Sequence, residues 1–203
     1  MTMKLRVWAG LACTLLGSIA LTIPSRAQIQ STGTSSQTPK TLDLGLMYST
    51  QVTNYVAAQK FWMQGGGVDA AYPVYKQFSG VVNFSFLQGN GNQADDVSLT
   101  TTTFTAGPRY TRAFGKRSRL FGEALFGVTH GSDSVFPTST GQTTSTNAFA
   151  LQAGAGYDFQ WREHIAFRVP AVDYVRTDLP NGANNAQNVL RISAGVVFHL
   201  PVR

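Results

Sequence analysis

The chain has 203 residues, and only 13% of them are charged, about half the share that is usual in soluble domains. This length suits one domain, and because the chain beyond its first segment has no long apolar run, a bundle of membrane-spanning helices is excluded. The formal net charge is +6, but three of the 16 basic residues lie in a predicted export signal and leave 13 against 10 acidic residues, so the charge does not point to nucleic-acid binding.

The N-terminal residues 1–27 have the three parts of a secretory signal peptide. Lys4 and Arg6 supply the positive start, and residues 7–23 form the apolar stretch. Small residues follow, so we predict cleavage after Ala27. An uncleaved anchor is the alternative, although the apolar stretch is short for a membrane span.

The hydrophobic pattern changes after residue 40. Residues 28–40 are polar and rich in Ser, Thr and Gln, which predicts a disordered periplasmic tail. From Thr41 onward the chain alternates with period two, as strands with two different faces do. We therefore predict that residues 41–203 form the folded domain.

Eight segments alternate in this way, with large apolar side chains on one face and small or polar ones on the other. The third is the clearest, because apolar residues or glycine recur at every second position from Phe78 to Phe86, while Ser79, Asn83 and Ser85 lie on the other face. The outward side chains of the other segments include Leu46, Tyr48, Val68, Tyr72, Phe104, Tyr110, Leu120, Phe126, Phe149, Leu151, Phe167, Val169, Leu190 and Ile192. A soluble β-sandwich also alternates, but aromatic side chains on one face of so many strands favour an all-β fold, an eight-stranded antiparallel up-and-down transmembrane β-barrel.

The predicted connections alternate between short and long. Short ones are expected at residues 73–77, 113–118 and 160–164, and long ones at 50–60, 88–97, 131–146 and 177–187. Transmembrane barrels have short periplasmic turns and longer external loops. An even number of strands then places both termini in the periplasm.

The seventh segment departs from the alternation at Pro170. Proline removes a ladder hydrogen bond, and beyond it Asp173 would point to lipid. We predict a bulge near Pro170 that returns Asp173 to the lumen.

With this pattern the chain resembles the outer-membrane β-barrel domain family, the small barrels related to the OmpA transmembrane domain. The resemblance spans residues 41–200, and its most specific part is the last strand, where Ser193, Gly195, Phe198 and Leu200 are similar to the signal read by the barrel-assembly machinery. It implies the outer membrane of a Gram-negative-type bacterium, with membrane lipid, the assembly machinery and periplasmic chaperones as partners. This chain continues past the signal for three residues, whereas many family members end on the final aromatic.

Seven charged side chains are predicted to face the lumen: Asp43, Asp69, Arg109, Glu123, Asp158, Arg168 and Arg191. Counting residues from the short turns places Asp69, Arg109, Glu123 and Arg168 in one layer, with Asp43 and Asp158 just below it. Arg109 and Glu123 are expected to pair, because an isolated buried ion costs several kcal/mol. Related barrels hold an Arg–Glu network that gates passage, and two interpretations stay open, a static polar core and a gate.

Three classes of function remain. A structural or surface-interaction barrel is favoured by a filled, nearly charge-balanced lumen, and a small gated pore would use space left by interior glycines, namely Gly45, Gly107, Gly127, Gly154, Gly156 and Gly195. A lipid A-modifying enzyme is third, since His130 and Ser132 have a fitting spacing but lack a glutamate on their face.

Cys13, the single cysteine, lies in the signal peptide, so the mature chain offers no thiol chemistry. We predict no catalytic residues, no cofactor and no metal, and the pattern does not identify an external ligand.

Overall fold

The computed structural model describes residues 41–56, 59–90, 98–139, 141–181 and 184–202. The predicted signal peptide, its cleavage after Ala27 and the tail at 28–40 lie outside these residues. In order, the strands are β1 (Thr41–Val56), β2 (Gln59–Tyr75), β3 (Phe78–Asn90), β4 (Ser98–Phe114), β5 (Ser118–Thr138), β6 (Gly141–Arg162), β7 (Ile165–Thr177) and β8 (Gln187–Pro201). Each pairs antiparallel with the next, and β8 pairs with β1, so the sheet closes into the predicted eight-stranded barrel.

The two faces of each strand differ as the alternation predicts. On β5, for example, Phe126 is 59% exposed while its neighbour Leu125 is 0% exposed, because successive side chains of a strand point to opposite faces. The outer surface is covered by large apolar side chains, and the lumen holds many threonine, serine and charged residues. A band of apolar side chains on the outside with a polar inside is the pattern of a barrel in lipid. In the part of the chain that the structure describes, no helix is long and apolar enough to span a membrane.

The three short turns lie at one end of the barrel, together with the start of β1 and the end of β8. They are tight turns at residues 76–77, 115–117 and 163–164. Gly115 has a φ of 71°, a left-handed conformation that glycine adopts without steric cost. We call this the short-turn end and the opposite one the long-connection end.

Two of the predicted long connections are wrong. Residues 50–56, 59–60, 131–138 and 141–146 continue the β1–β2 and β5–β6 ladders, with Thr53 opposite Phe61 and Thr138 opposite Gly141. Threonine, which is frequent in residues 131–146, is β-branched and suits a strand. The predicted connection at 177–187 is confirmed where the structure describes it, since β7 ends at Thr177 and β8 begins at Gln187. Of the one predicted at 88–97, residues 88–90 still belong to β3 and residues 91–97 lie outside the described residues.

The predicted bulge in β7 is confirmed. Between Arg168 and Ala171 the strand has one residue more than either neighbour, so its register shifts against both β6 and β8. A shift of one residue exchanges the two faces of a strand. Asp173 therefore lies in the lumen, where it is 5% exposed.

Candidate functional site

Five of the seven predicted lumen charges form one continuous series of ion pairs across the middle of the barrel. Its order is Glu123, Arg109, Asp69, Arg168, Asp158, and the successive N···O distances are 2.7, 2.7, 3.2 and 2.7 Å. All five side chains are at most 6% exposed. We call this set the ion-pair chain.

The register of the sheet accounts for the two outer pairs. Arg109 on β4 lies opposite Glu123 on β5, and Asp158 on β6 lies opposite Arg168 on β7. The central carboxylate of Asp69 comes from β2 and accepts hydrogen bonds from both arginines. The ion-pair chain therefore joins five strands and crosses the lumen, and it includes Asp158, which was expected just below this layer.

A buried aromatic ring lies between the two arginines. The guanidinium carbons of Arg109 and Arg168 lie 4.6 and 4.3 Å from the ring centroid of Phe121. Desolvated cation–π contacts of this kind contribute about 2 kcal/mol each. Phe121 was not predicted as part of the site, although its spacing from Glu123 in the alternation already placed it on the inner face.

Asp173 and Arg191 lie beside the ion-pair chain without joining it. Arg191 donates hydrogen bonds to Gln51 Oε1 at 3.2 Å and to Ser85 Oγ at 3.3 Å, and it makes no ion pair with any described residue. Asp173 is its register partner and was not among the predicted charges, although the bulge at Pro170 signalled its position. A cavity of about 30 Å³ between these groups and the ion-pair chain has room for about two water molecules.

Asp43 forms a separate pair nearer the short-turn end. Its Oδ1 lies 2.6 Å from Nδ1 of His199, which is directly opposite on β8. His199 was placed in the lumen by the alternation, but its partner depends on the register by which β8 closes on β1. That register pairs the first and last strands of the barrel, and no short segment of the sequence predicts it.

The lumen is closed at the long-connection end by a group of buried side chains that we call the apolar plug: Phe61, Met63, Leu87, Leu99, Phe136 and Leu179. Phe136 enters it after a register shift in β5, and Leu179 is held by Gln187, whose side-chain amide hydrogen-bonds both its N–H and its carbonyl. Only a cavity of about 20 Å³ lies between the plug and Arg191. At the short-turn end the lumen widens into a vestibule of about 480 Å³, lined in part by Lys76, Arg112 and Arg119.

The interior glycines lie close against neighbouring atoms, so the space beside them is already occupied. A side chain at these positions would collide with those neighbours. The neighbours are Asp69 at Gly45, Asp173 at Gly154, Phe121 at Gly156, and the backbones of adjacent strands at Gly107, Gly127 and Gly195.

The side chains considered for enzymatic chemistry are separated. Nδ1 of His130 lies 2.8 Å from Oδ1 of Asn147, whereas the hydroxyl of Ser132 donates to Asp133. Glu123, the glutamate nearest in sequence, belongs to the ion-pair chain. Among the described residues no group of three His, Cys, Asp or Glu side chains is placed to hold a metal ion.

The four residues of the predicted assembly signal lie on β8, the strand that closes the barrel. Ser193 and Gly195 face the lumen, where the hydroxyl of Ser193 hydrogen-bonds that of Ser49 on β1. Phe198 and Leu200 face outward, with Leu200 42% exposed. The last residues of β8, next to the short-turn end, therefore have their apolar side chains on the lipid-facing side.

Solved structures with the same fold are outer membrane barrels. Ail, the attachment invasion locus protein of Yersinia pestis, solved with the heparin analogue sucrose octasulfate, is 17% identical with a TM-score of 0.55, over 80% of this chain and 99% of that one. Neisserial surface protein A is 10% identical with a TM-score of 0.61, over 77% and 96%. OprG from Pseudomonas aeruginosa is 12% identical with a TM-score of 0.53, over 81% and 97%.

At these identities the likeness shows the fold alone. No curated protein sequence matches the chain. The family model of the outer membrane protein beta-barrel domain matches residues 13–198, which is most of the chain. The chain therefore belongs to the outer membrane protein beta-barrel domain family.

Proposed function

We propose that this protein is a closed outer membrane barrel with a structural or surface-interaction role, and that it neither conducts nor catalyses. The observation that carries the proposal is the double closure of the lumen, by the ion-pair chain in the middle and by the apolar plug at the long-connection end. The cavities between them are about 30 and 20 Å³, too small for a continuous water path.

The proposed orientation places the short-turn end, and with it both chain termini, in the periplasm. Short periplasmic turns and longer external segments are usual in such barrels. The strands β5 and β6 extend furthest at the long-connection end, so a partner would meet their polar ends first. Assembly through Ser193, Gly195, Phe198 and Leu200, helped by periplasmic chaperones, belongs to the same proposal.

The long-connection end of this barrel is poorly suited to bind the sulfated sugar that Ail binds. Among the described residues, the charged side chains at the long-connection end include Asp133, Asp178 and Arg176, and the arginine is already paired with Asp178 at 3.3 Å. A polysulfate needs several free cations. The proposal therefore leaves the external partner to be identified from the surface of β5 and β6.

A small gated pore is the second candidate, favoured by the vestibule that leads from the short-turn end toward the ion-pair chain. Single-channel conductance of the refolded protein in a planar bilayer decides between the two. Heat-dependent gel mobility shows that the barrel has formed. We expect no current from the folded barrel, whereas a steady or gated current would refute closure.

Two matched glutamate variants make the conductance experiment more specific. Glu123→Ala removes a member of the ion-pair chain, and Glu163→Ala removes an exposed glutamate in a turn. A current that changes with Glu123→Ala but not with Glu163→Ala would make the ion-pair chain a gate. Silence in both variants and in the parent supports the closed barrel.

A further inference from the structure

The exposed positive charge of the barrel is concentrated at the short-turn end. Six cationic side chains lie there: Lys76, Arg112, Lys116, Arg117, Arg119 and Arg162. The acidic side chains described at this end are Asp43, which is paired with His199, and Glu163. Among the described residues, the exposed positive charge is therefore concentrated at the short-turn end.

Three of these cations lie against aromatic rings on the outer surface. Nζ of Lys76 is 5.0 Å from the ring centroid of Tyr75, and the guanidinium carbons of Arg112 and Arg162 are 5.5 and 4.8 Å from those of Phe114 and Trp161. The rings are 63%, 50% and 53% exposed on the outer face of their strands, while the cations of Lys76 and Arg112 also border the vestibule at the edge of the barrel. They lie at the ends of β2, β4 and β6, which spaces them around the circumference.

Aromatic residues at the ends of membrane strands occupy the level of the lipid headgroups. A cation within about 5 Å of such a ring is held at the same depth, where the phosphate groups of the lipids lie. The ring thus fixes the position of the charge along the membrane normal.

These three cations have no carboxylate partner among the described residues. Arg176, at the opposite end, is also exposed but is neutralised by Asp178 at 3.3 Å. Lys76, Arg112 and Arg162 are therefore available to an external anion, whereas Arg176 is not.

We propose that the three cation–aromatic pairs, Lys76 with Tyr75, Arg112 with Phe114 and Arg162 with Trp161, bind the phosphate groups of anionic phospholipids in the leaflet at the short-turn end. Their spacing around the barrel matches a shell of separate lipid molecules better than one ligand in the vestibule. Each cation near an anionic lipid surface raises a binding constant by about fivefold, so each of the three positions should prefer an anionic lipid by about that factor.

The test is lipid competition, read by native mass spectrometry. The refolded barrel is equilibrated with equal amounts of phosphatidylglycerol and phosphatidylcholine, and the retained lipids are counted. We expect the parent protein to retain phosphatidylglycerol over phosphatidylcholine by about fivefold at these positions, and added salt should lower that preference because it screens exposed charges.

The variants assign the effect to these three cations. In the triple variant Lys76→Gln, Arg112→Gln and Arg162→Gln the preference should fall close to one, and each single variant should remove about a third of the excess phosphatidylglycerol that the parent retains. Arg176→Gln, the matched control at the other end, should leave it unchanged. Equal retention of the two lipids by the parent, or an unchanged preference in the triple variant, would overturn the proposal. All four positions are exposed, and heat-dependent mobility verifies that each variant has folded.

Discussion

Replacing Arg168 with methionine removes the side chain that links the two halves of the ion-pair chain. Arg168 donates to both oxygens of Asp158, at 2.7 and 3.0 Å, and to Asp69 at 3.2 Å. Asp69 keeps Arg109 in the variant, but Asp158 is left without its cation at 5% exposure. Orphaning one partner of a buried pair costs about 3–5 kcal/mol, and the lost contact with Phe121 adds to it, so we expect a loss near 5 kcal/mol.

The assay is the free energy of unfolding by urea in lipid vesicles, followed by tryptophan fluorescence. Trp62 and Trp161 are 66% and 53% exposed on the lipid face, so their emission shifts when the barrel leaves the membrane. Arg176→Met is the matched control, since it makes the same change on the same strand at an exposed ion pair. That pair should contribute at most about 1 kcal/mol.

A second variant separates the ion pair from general disruption of the core. In Arg168→Met with Asp158→Leu, both partners are apolar and no carboxylate is orphaned at position 158. Removing both partners of a buried pair is often nearly neutral, so the double variant should be more stable than Arg168→Met alone by at least about 1 kcal/mol. If Arg168→Met cost no more than Arg176→Met, or the double variant were the least stable, the reasoning would be refuted.

Three further predictions concern the lumen. Glu123→Ala leaves Arg109 paired with Asp69, so urea unfolding should show a smaller loss than Arg168→Met, about 1.5–3 kcal/mol; a loss near zero would mean that the pair contributes nothing. Gly45→Ala should hinder refolding, measured by heat-dependent mobility, because the new methyl group would overlap the carboxylate of Asp69, whereas Gly80→Ala on the lipid face meets only a contact at 3.7 Å and should refold normally. Phe136→Ala empties the centre of the apolar plug and should lower the free energy of unfolding by about 3–5 kcal/mol, and a loss below about 1 kcal/mol would show that the plug is loosely packed.

The strand faces could be predicted because alternation is a local property. Phe84 and Ser85 differ in environment for the same reason that any two neighbours in a strand do, and no knowledge of the rest of the barrel is needed. The bulge at Pro170 could be predicted for a similar local reason, since proline lacks the N–H that the ladder requires. Residues 50–60 and 131–146 were predicted as long connections, but the described residues there continue the strands.

The partners inside the lumen could be predicted only in part. Arg109 and Glu123 flank one tight turn, so counting from that turn places them opposite each other. Asp69 and Arg168 meet across the lumen, and Asp43 meets His199 only through barrel closure, so these distances depend on the tilt and register of the whole sheet. Phe121 contacts Arg109 on β4 and Arg168 on β7, so its part in the site also depends on the folded barrel.

The bond between Asp69 and Arg168 also bears on how the barrel folds. The two residues are 99 positions apart, and no hairpin of neighbouring strands brings them together. Before closure, Asp69, Arg109 and Glu123 hold two carboxylates for one guanidinium, and the remaining cation of the chain arrives only with β7. Because this contact joins residues that are far apart in the sequence, it stabilises the barrel only once the ring of strands is complete. Partly assembled sheets already hold the two pairs that lie on adjacent strands, but the link between Asp69 and Arg168 forms only in the closed barrel, so the transition from open sheet to closed barrel should be cooperative.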